Sequence, residues 1–207
     1  MSTMPGINLE KIYLLDSYYH VYSRGTNQDT IFRDDGDYAV FLNLFKRYLS
    51  DSPVQDQQGR EYLWLHDQIE LLAYCLMPNH FHALVYQTEP GAITRLFKST
   101  LTAYGMYFNR KYMRHGPLFQ SRFRASIITS DVYLQHISRY IHLNPKNYRR
   151  WPFSSLPYYQ ARQHAAWVSP DRILELFASS EEYMDFLADY EDHKKMLKKI
   201  RSELADV

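Results

Sequence analysis

The chain has 207 residues, one cysteine and a formal net charge of +1 at pH 7. A chain of this length buries one substantial core, so we expect one main domain with at most a small appendage. The lone cysteine, Cys75, excludes an internal disulfide. We expect no leader peptide, because no charged-then-apolar stretch opens the sequence, and no apolar run approaches the roughly 18 residues of a membrane span; we therefore expect a cytoplasmic protein without a membrane partner.

Charge is distributed unevenly along the chain, and this asymmetry is more informative than the net value. Residues 95–150 contain eleven Lys or Arg and a single acid, Asp131, whereas residues 1–94 contain six bases and twelve acids. A basic stretch of this kind indicates a polyanionic partner. Some of the 19 tyrosines could also stack on unpaired bases. The plainer alternative is a solvated basic surface.

The first half of the chain shows the periodicities of strands and of one helix. Alternation bounded by turn residues predicts strands, and aspartates ahead of an apolar stripe at helical spacing predict a capped helix. The predicted strands are Ser17–Arg24, Ile69–Met77 and His80–Gln87, the helix is Asp34–Ser50, the loop is Asp51–Arg60, and Glu61–Trp64 is a weaker strand candidate.

The second half predicts two more helices and a strand before a less regular end. The elements are a helix over Ala92–Arg114, a strand over Arg122–Thr129, a helix over Ser130–Pro145 that Asn144-Pro145 ends, an aromatic segment Trp151–Tyr159 that folds back over the domain, and helical sequence over Asp171–Val207. We divide the chain into a main domain, residues 1–159, and a helical C-terminal extension, residues 160–207.

The order strand, helix, strand, strand, helix, strand, helix predicts an α+β fold of the ferredoxin-like, split βαβ type. In that arrangement an antiparallel sheet has helices on one face, and its other face is free for a site. We expect the strand that begins at His80 to be central in the sheet. The helix over Ser130–Pro145 is expected beside it on the open face.

Two histidines open the second of the paired strands. His80 and His82 are two residues apart, so in an extended chain they project from one face, close enough to share a metal ion, while Phe81 packs behind them. A pair of this kind is more often structural or merely exposed, so a third ligand is needed for a metal site.

The helix over Ser130–Pro145 supplies that candidate ligand and a nucleophile. Tyr140 and Asn144 are at i and i+4, on one helical face. We interpret His80, His82 and the Asn144 amide oxygen as metal ligands that polarise a phosphodiester while Tyr140 attacks phosphorus.

Tyr133 and Tyr148 are alternative nucleophiles, but neither has a ligand candidate four residues later. His136, one turn before Tyr140, is either a helper in proton removal or an ordinary surface histidine. The candidates for phosphate contacts are Arg24, Arg95, Lys98, Arg122, Arg124 and Arg139. The alternative is that about half of these side chains only face solvent.

Five short motifs, in order, carry a family resemblance that extends over about His20 to Tyr159. They are YHVYSRG at 19–25, MPNHFHALV at 77–85, GPLFQSRF at 116–123, YIHLNP at 140–145 and WPFSS at 151–155. With these motifs the chain resembles the HUH single-strand transposases with one catalytic tyrosine, and within them the REP-associated tyrosine transposases.

The resemblance implies a DNA-processing enzyme. In that family the two histidines, here His80 and His82, bind Mg²⁺ or Mn²⁺, the third ligand corresponds to Asn144, and the nucleophile corresponds to Tyr140. Family enzymes cleave single-stranded DNA to a 5′-phosphotyrosine and a free 3′-hydroxyl and then rejoin strands, on imperfect hairpins flanked by a short guide sequence. Some relatives exchange tyrosine helices between two subunits, so a homodimer is consistent with the resemblance.

The sequence departs from the family pattern in two places, and two other functions are alternatives to a transposase. Phe119 occupies a place where many members have Trp, and the chain after about residue 160 is poorly covered. One rival is a non-catalytic module that binds single-stranded nucleic acid, such as a domesticated transposase. The other is a phosphoesterase acting on nucleotides, although Leu84 stands where a histidine-triad hydrolase has its third histidine.

Overall fold

A computed structural model describes residues 13–189, and its centre is one antiparallel sheet of four strands. The strands are β1 (Ser17–Arg24), β2 (Ile69–Met77), β3 (His80–Gln87) and β4 (Arg124–Ile128), in the spatial order β2-β3-β1-β4. This is the ferredoxin-like order, with β3 central, so the predicted α+β fold class is confirmed. Residues 190–207, the last part of the predicted helical sequence over Asp171–Val207, lie outside the described residues.

Six α-helices accompany this sheet in the described part of the chain. They are α1 (Asp35–Leu49), α2 (Ala92–Lys111), α3 (Asp131–His142), α4 (Leu156–Tyr159), α5 (Asp171–Leu174) and α6 (Ser180–Ala188). Local chemistry explains where several of them begin: the Asp34, Ser130 and Ser179 side chains each accept a hydrogen bond from the backbone N–H three residues later. Within residues 13–189 no helix is both long and apolar enough to cross a membrane.

The first face of the sheet packs against α1 and α2 around aromatic side chains. β1 contributes Tyr19 and Val21 and β3 contributes Phe81, Ala83 and Val85, all alternate residues of their strands. In β2 a bulge between Leu71 and Ala73 shifts the alternation. As a result Tyr74 and Leu76 face this core, whereas Ala73 and Cys75 face the opposite one.

The second face is covered more fully than the sequence predicts. Helix α3 packs across β2 and β3 on this face, as predicted, and α4, α5 and α6 extend the cover by adding Tyr159, Ile173 and Tyr183 to a second buried cluster. The reason is that the described part of the extension carries apolar side chains that need burial. The division of the chain at residue 159 stays a prediction.

The aromatic segment after α3 folds back over the domain as predicted and covers the outer edge of β2. The Trp151 indole donates a hydrogen bond to the Leu76 carbonyl at 2.9 Å, and the Leu76 N–H donates to the Phe153 carbonyl at 2.9 Å. The Ser155 N–H donates to the Tyr74 carbonyl. These bonds use backbone groups that an edge strand otherwise exposes. The weaker strand candidate at residues 61–64 forms only an isolated bridge, between Glu61 and Gln55.

Candidate active site

The two histidines of β3 lie on the face of the sheet that α3 covers. In the antiparallel register, His80 is opposite Arg24 of β1, and His82 is opposite Tyr22. Residues directly opposite each other project from the same face, so the alternate residues of β1 border the histidine pair. The predicted shared face of His80 and His82 is therefore observed.

Helix α3 brings Tyr140 onto this face. The Tyr140 ring meets His82 edge-on, with 5.1 Å between ring centroids, and it also meets His20 edge-on at 6.0 Å. Tyr140 is only 7% exposed. The amphipathic pattern of α3 explains its placement, because Leu134, Ile137 and Ile141 bury the same stripe against the sheet.

Asn144 meets His80 just beyond the end of α3. The helix ends at His142, and the Asn144 amide Oδ1 lies 3.2 Å from His80 Nε2. On its other side, His80 Nδ1 lies 2.7 Å from Oδ1 of the adjacent Asn79. The predicted ligand pair from two distant parts of the chain is thus in direct contact.

His20 of β1 is part of the site, although the sequence analysis assigned it no role. Its Nε2 lies 2.9 Å from His82 Nδ1, the two rings are stacked with centroids 5.0 Å apart, and both side chains are buried. In neutral imidazoles one of the two nitrogens donates and the other accepts. The sequence contained a signal for this role, because the alternation within SYYHVYSR puts His20 and Tyr22 on one face of the strand.

Burial keeps these imidazoles neutral. It lowers the pKa of His20 to about 3, and it lowers the pKa of His80 to about 4, where the positive charge of Arg24 adds to the effect and the hydrogen bond to Asn144 opposes it. Burial and the neighbouring His20, His80 and Arg24 hold the pKa of His82 well below its ordinary value. Neutral imidazole is the form that binds a metal ion.

The donor set suits a divalent metal with an incomplete protein shell. Within residues 13–189, no three His, Cys, Asp or Glu side chains converge as a metal-holding group. The convergence at His80 instead pairs an imidazole nitrogen with an amide oxygen, 3.2 Å apart, beside the buried His82. Two nitrogens and one oxygen leave positions for water and substrate, which fits a catalytic rather than a closed structural site.

The alternative tyrosines and His136 occupy other positions in the fold. Tyr133 is at the start of α3, where its N–H bonds the Ser130 hydroxyl and its half-buried ring packs against the second buried cluster. The Tyr148 hydroxyl accepts a hydrogen bond from Arg149. His136 Nδ1 lies 2.8 Å from an Arg139 nitrogen, and its ring packs on Phe186.

The predicted phosphate-binding cations are divided among different parts of the fold. Arg24 and Arg124 border the histidine face, since they are opposite His80 and Tyr22 in the sheet, and Arg122 is exposed just before β4. Arg95 and Lys98 are in the first half of α2, which packs on the other face. Arg95 bonds Gln68, next to the end of the sheet away from His80.

The prediction that Arg139 contacts a phosphate is wrong, because its side chain is buried. It is only 2% exposed, its guanidinium lies 4.0 Å from the Phe186 ring centroid, and it donates to the Phe186 carbonyl at 3.0 Å. The sequence places Arg139 next to Tyr140, but consecutive helical residues point in different directions. The structure therefore uses this cation to join α3 to α6.

A second buried network holds α3 in register with its neighbours. His142 Nδ1 lies 2.6 Å from the Tyr183 hydroxyl and His142 Nε2 lies 2.7 Å from the Ser155 hydroxyl. The Tyr183 hydroxyl donates to the Ser138 hydroxyl at 3.2 Å. Burial lowers the pKa of His142 to about 3. These bonds join the helix that carries Tyr140 to two other segments, at Ser155 and in α6.

Comparisons with known proteins agree with this geometry. Residues 60–144 match the family model described as "Transposase IS200 like". The solved structure of a REP-associated tyrosine transposase bound to a REP hairpin superposes with a TM-score of 0.52 at 18% identity, covering 75% of this chain and 86% of that one.

A further solved structure, of a proposed transposase from Deinococcus radiodurans R1, gives a TM-score of 0.38 at 18% identity, covering 68% of this chain and 95% of that one, which does not establish a shared fold. No curated protein matches the chain in sequence. The segment that matches the family model includes His80, His82, Tyr140 and Asn144, and the described part of the chain shares the fold of the REP-associated tyrosine transposase structure; over residues 60–144 the chain is similar to the IS200-like transposases.

Proposed function

We propose that this protein is a metal-dependent single-stranded DNA endonuclease and strand transferase that works through Tyr140. The observation that carries the proposal is the convergence of groups from two distant segments: Asn144 contacts His80 at 3.2 Å, and the Tyr140 ring contacts His82. A nucleophile next to a ligand set is the arrangement that phosphoryl transfer needs.

The residues of the chain have distinct roles in this proposal. His80 Nε2, His82 through the nitrogen that does not face His20, and Asn144 Oδ1 would hold Mg²⁺ or Mn²⁺. When bound, the metal supplies a Lewis acid that polarises the scissile phosphate. His20 positions the His82 ring, because a hydrogen bond to one ring nitrogen determines which nitrogen is left to bind.

Cleavage proceeds by one displacement at phosphorus. The Tyr140 oxygen forms a bond to phosphorus, the phenolic proton passes to water, and the bond from phosphorus to the 3′-oxygen breaks. The leaving oxygen takes up a proton and becomes a free 3′-hydroxyl, and the 5′-phosphate stays on Tyr140. Attack by another 3′-hydroxyl on this ester reverses the step and joins strands, with no external energy source.

The proposed substrate is single-stranded DNA that contains a hairpin. The match of residues 60–144 to a transposase family model supports a DNA substrate, and the similar solved structure contains a REP hairpin. The exposed Arg24 and the half-buried Arg124 on the histidine face would neutralise phosphates near the cleaved bond. We propose no function for Arg95 and Lys98 in this step. Whether two copies act together is likewise a proposal, suggested by the resemblance alone.

Covalent capture tests the proposal. Purified protein is mixed with a labelled hairpin oligonucleotide with single-stranded flanks and Mn²⁺ or Mg²⁺, and the products are separated on a denaturing gel. We expect a protein–DNA band that is lost in Tyr140→Phe and in the presence of a chelator, and kept in the matched control Tyr148→Phe. An adduct that persists in Tyr140→Phe would assign the nucleophile elsewhere.

A non-catalytic binding module is the rival function, and the same experiment separates it. If the wild-type protein binds the hairpin but forms no adduct with any metal, hairpin or flank, binding without cleavage is the function. The buried, mutually bonded His20 and His82 speak against that outcome, because a pure binding surface has no need to bury two imidazoles.

A further inference from the structure

A cavity outside the proposed active site lies beside the turn from which His80 begins. It has a volume of about 480 Å³ and is lined by Asp29, Thr30, Phe32, Arg33, Arg114 and Leu118. None of these residues is among the site residues that the sequence predicts. Phe32 and Leu118 are buried, Arg114 is half-buried, and Asp29, Thr30 and Arg33 are exposed, so the cavity has an apolar floor and a polar rim with two arginines and one aspartate.

The cavity is joined rigidly to the active-site strand. The N–H groups of Ile31 and Phe32 both donate to the Pro78 carbonyl, at 2.7 and 3.0 Å, and the Asn79 amide donates to the Gln28 carbonyl at 3.2 Å. Pro78 and Asn79 form the turn immediately before His80. Arg24, the last residue of β1, is opposite His80, and the chain continues from it into the segment that contributes Asp29, Thr30, Phe32 and Arg33 to the cavity.

The loops around the cavity hold unusual backbone conformations. Asn27 and Gln28 on one side and Met113 on the other have φ values of 55°, 63° and 49°. A Cβ at Gly25 would lie 2.2 Å from the Asp29 carbonyl oxygen, so only glycine permits the loop to close as it does. Strained loops that are held in place by their surroundings are frequent at ligand sites.

The two arginines present their guanidinium groups differently. Arg114 is held by Asn109 and the Pro117 carbonyl, at 3.1 and 3.4 Å. The Arg33 guanidinium lies 4.4 Å from the Tyr112 ring centroid and has no hydrogen-bond acceptor among residues 13–189. Its N–H groups are therefore available to a ligand, and a guanidinium supported by an aromatic ring is a preferred partner of phosphate and of unstacked bases.

From these features we propose that the cavity binds one unpaired nucleotide of the DNA that flanks the hairpin. Arg33 and Arg114 contact its phosphate, the base enters over Phe32 and Leu118, and Asp29 and Thr30 offer an acceptor and a hydroxyl to the base edge. The volume suits a nucleotide better than a free phosphate ion. This inference rests on the proposed function, because it needs a single-stranded DNA substrate.

Two variants separate charge from space. Arg33→Ala removes the available cation, and Thr30→Trp fills the cavity without a change in charge. Arg60→Ala is the matched control, since Arg60 is an exposed arginine paired with Asp56 in a distant loop. Binding is measured by fluorescence anisotropy with a hairpin that carries short single-stranded flanks and with the same hairpin without flanks. Arg33→Lys, which keeps the charge, is included with an unfolding midpoint for each variant.

We expect Arg33→Ala and Thr30→Trp to weaken binding of the flanked hairpin by about tenfold and to leave the flankless hairpin unaffected, while Arg60→Ala changes neither. Arg33→Ala should also lower the slope of log affinity against log salt by about 0.7, the value for one phosphate on a single strand. Arg33→Lys should recover the salt slope but only part of the affinity.

Other outcomes would overturn the inference. Equal weakening of both probes would make Arg33 a general electrostatic contact, and unchanged binding in both variants would leave the cavity without a nucleotide. Wild-type protein that forms the Tyr140 adduct but binds both hairpins equally would refute the cavity site and keep the proposed function. Wild-type protein that binds neither hairpin and forms no adduct would refute both.

Discussion

The two faces of the sheet differ sharply although the same strands build them. On the α1 and α2 face, Phe81 packs among Phe41, Phe97 and Phe119, with ring centroids 5.2 to 6.5 Å apart. On the α3 face the neighbouring residue His82 bonds His20 and contacts Tyr140. Adjacent residues of one strand thus belong to a dry aromatic core and to a polar site, because side chains alternate across a sheet.

The comparison teaches where to look for function in a small α+β domain. Burying polar groups is favourable only when they are bonded, and each of the polar side chains buried on the α3 face makes a hydrogen bond; they are His20, His82, Ser138, Arg139 and His142. The α1 and α2 face also buries polar side chains, among them Asp37, Gln87 and Thr100, but within residues 13–189 the buried histidines are all on the α3 face. The buried imidazoles are therefore the feature of the α3 face that needs a chemical reason.

Acidification should have the largest effect on stability, and it should act through the α3 face, because the buried histidines of the described residues are all on that side. The pKa of His20 and of His142 is about 3 and that of His80 is about 4, against 6.5 for an ordinary histidine. Below pH 6.5 the unfolded chain binds protons that the folded chain does not. The free energy of unfolding should fall by about 1.4 kcal/mol per pH unit for each group, until the folded pKa is reached.

Urea unfolding between pH 7.5 and pH 5 measures this effect. A variant that lacks one buried histidine, His142→Gln, should show a smaller pH slope than the wild type, whatever its stability at neutral pH. Should this variant fail to fold, His20→Gln offers the same comparison. A wild-type free energy that stays flat over this range would contradict neutral burial of the histidines.

Substitution of the neighbouring residues Phe81 and His82 should affect different properties, stability in one case and adduct formation in the other. Phe81→Ala removes a fully buried ring and should lower the free energy of unfolding by about 3–5 kcal/mol. His82→Gln should cost less stability and should abolish the covalent DNA adduct. Urea unfolding and covalent capture are run on both variants. If a folded Phe81→Ala protein lost as much of the adduct as His82→Gln does, the result would argue against one face serving stability and the other serving catalysis.

Removal of His20 should weaken metal binding without removing a ligand. The partner of a metal-bound imidazole commonly contributes about 10–100-fold in affinity, so His20→Ala should raise the Mn²⁺ dissociation constant by that factor. Calorimetric titration of the DNA-free protein measures it. Tyr22→Phe is the control. The Tyr22 ring packs against the His20 and His82 rings, with centroids 5.6 and 5.9 Å apart, and the substitution keeps this ring. Equal Mn²⁺ affinity in His20→Ala and wild type would remove His20 from the site.

The smallest expected effect concerns the start of α3, far along the helix from Tyr140. Ser130→Ala removes the side-chain bond to the Tyr133 N–H and should cost about 1 kcal/mol. Ser179→Ala makes the same change at the start of α6, where Ser179 bonds the Glu182 N–H. Thermal unfolding should give similar losses for both. A loss several times larger for Ser130→Ala would mean that the start of α3 also supports the site.

Sequence reasoning located the elements well and their ends less well. β1, β2 and β3 have the predicted bounds, because alternation and turn residues are local signals. Helix α2 ends at Lys111 rather than Arg114, since Met113 adopts a positive φ as the chain turns. Strand β4 begins at Arg124 rather than Arg122, because the Arg24 carbonyl bonds the Gln120 N–H instead of continuing the ladder.

The sequence by itself determined the ferredoxin-like order and the candidates His80, His82, Tyr140 and Asn144, because two-residue and four-residue spacings define shared faces within one element. Only the tertiary structure decided that His20 bonds His82, that Arg139 is buried against α6, and that Arg95 lies away from the histidine end. Those facts depend on which segments meet across long stretches of chain, and local periodicity carries no information about such contacts.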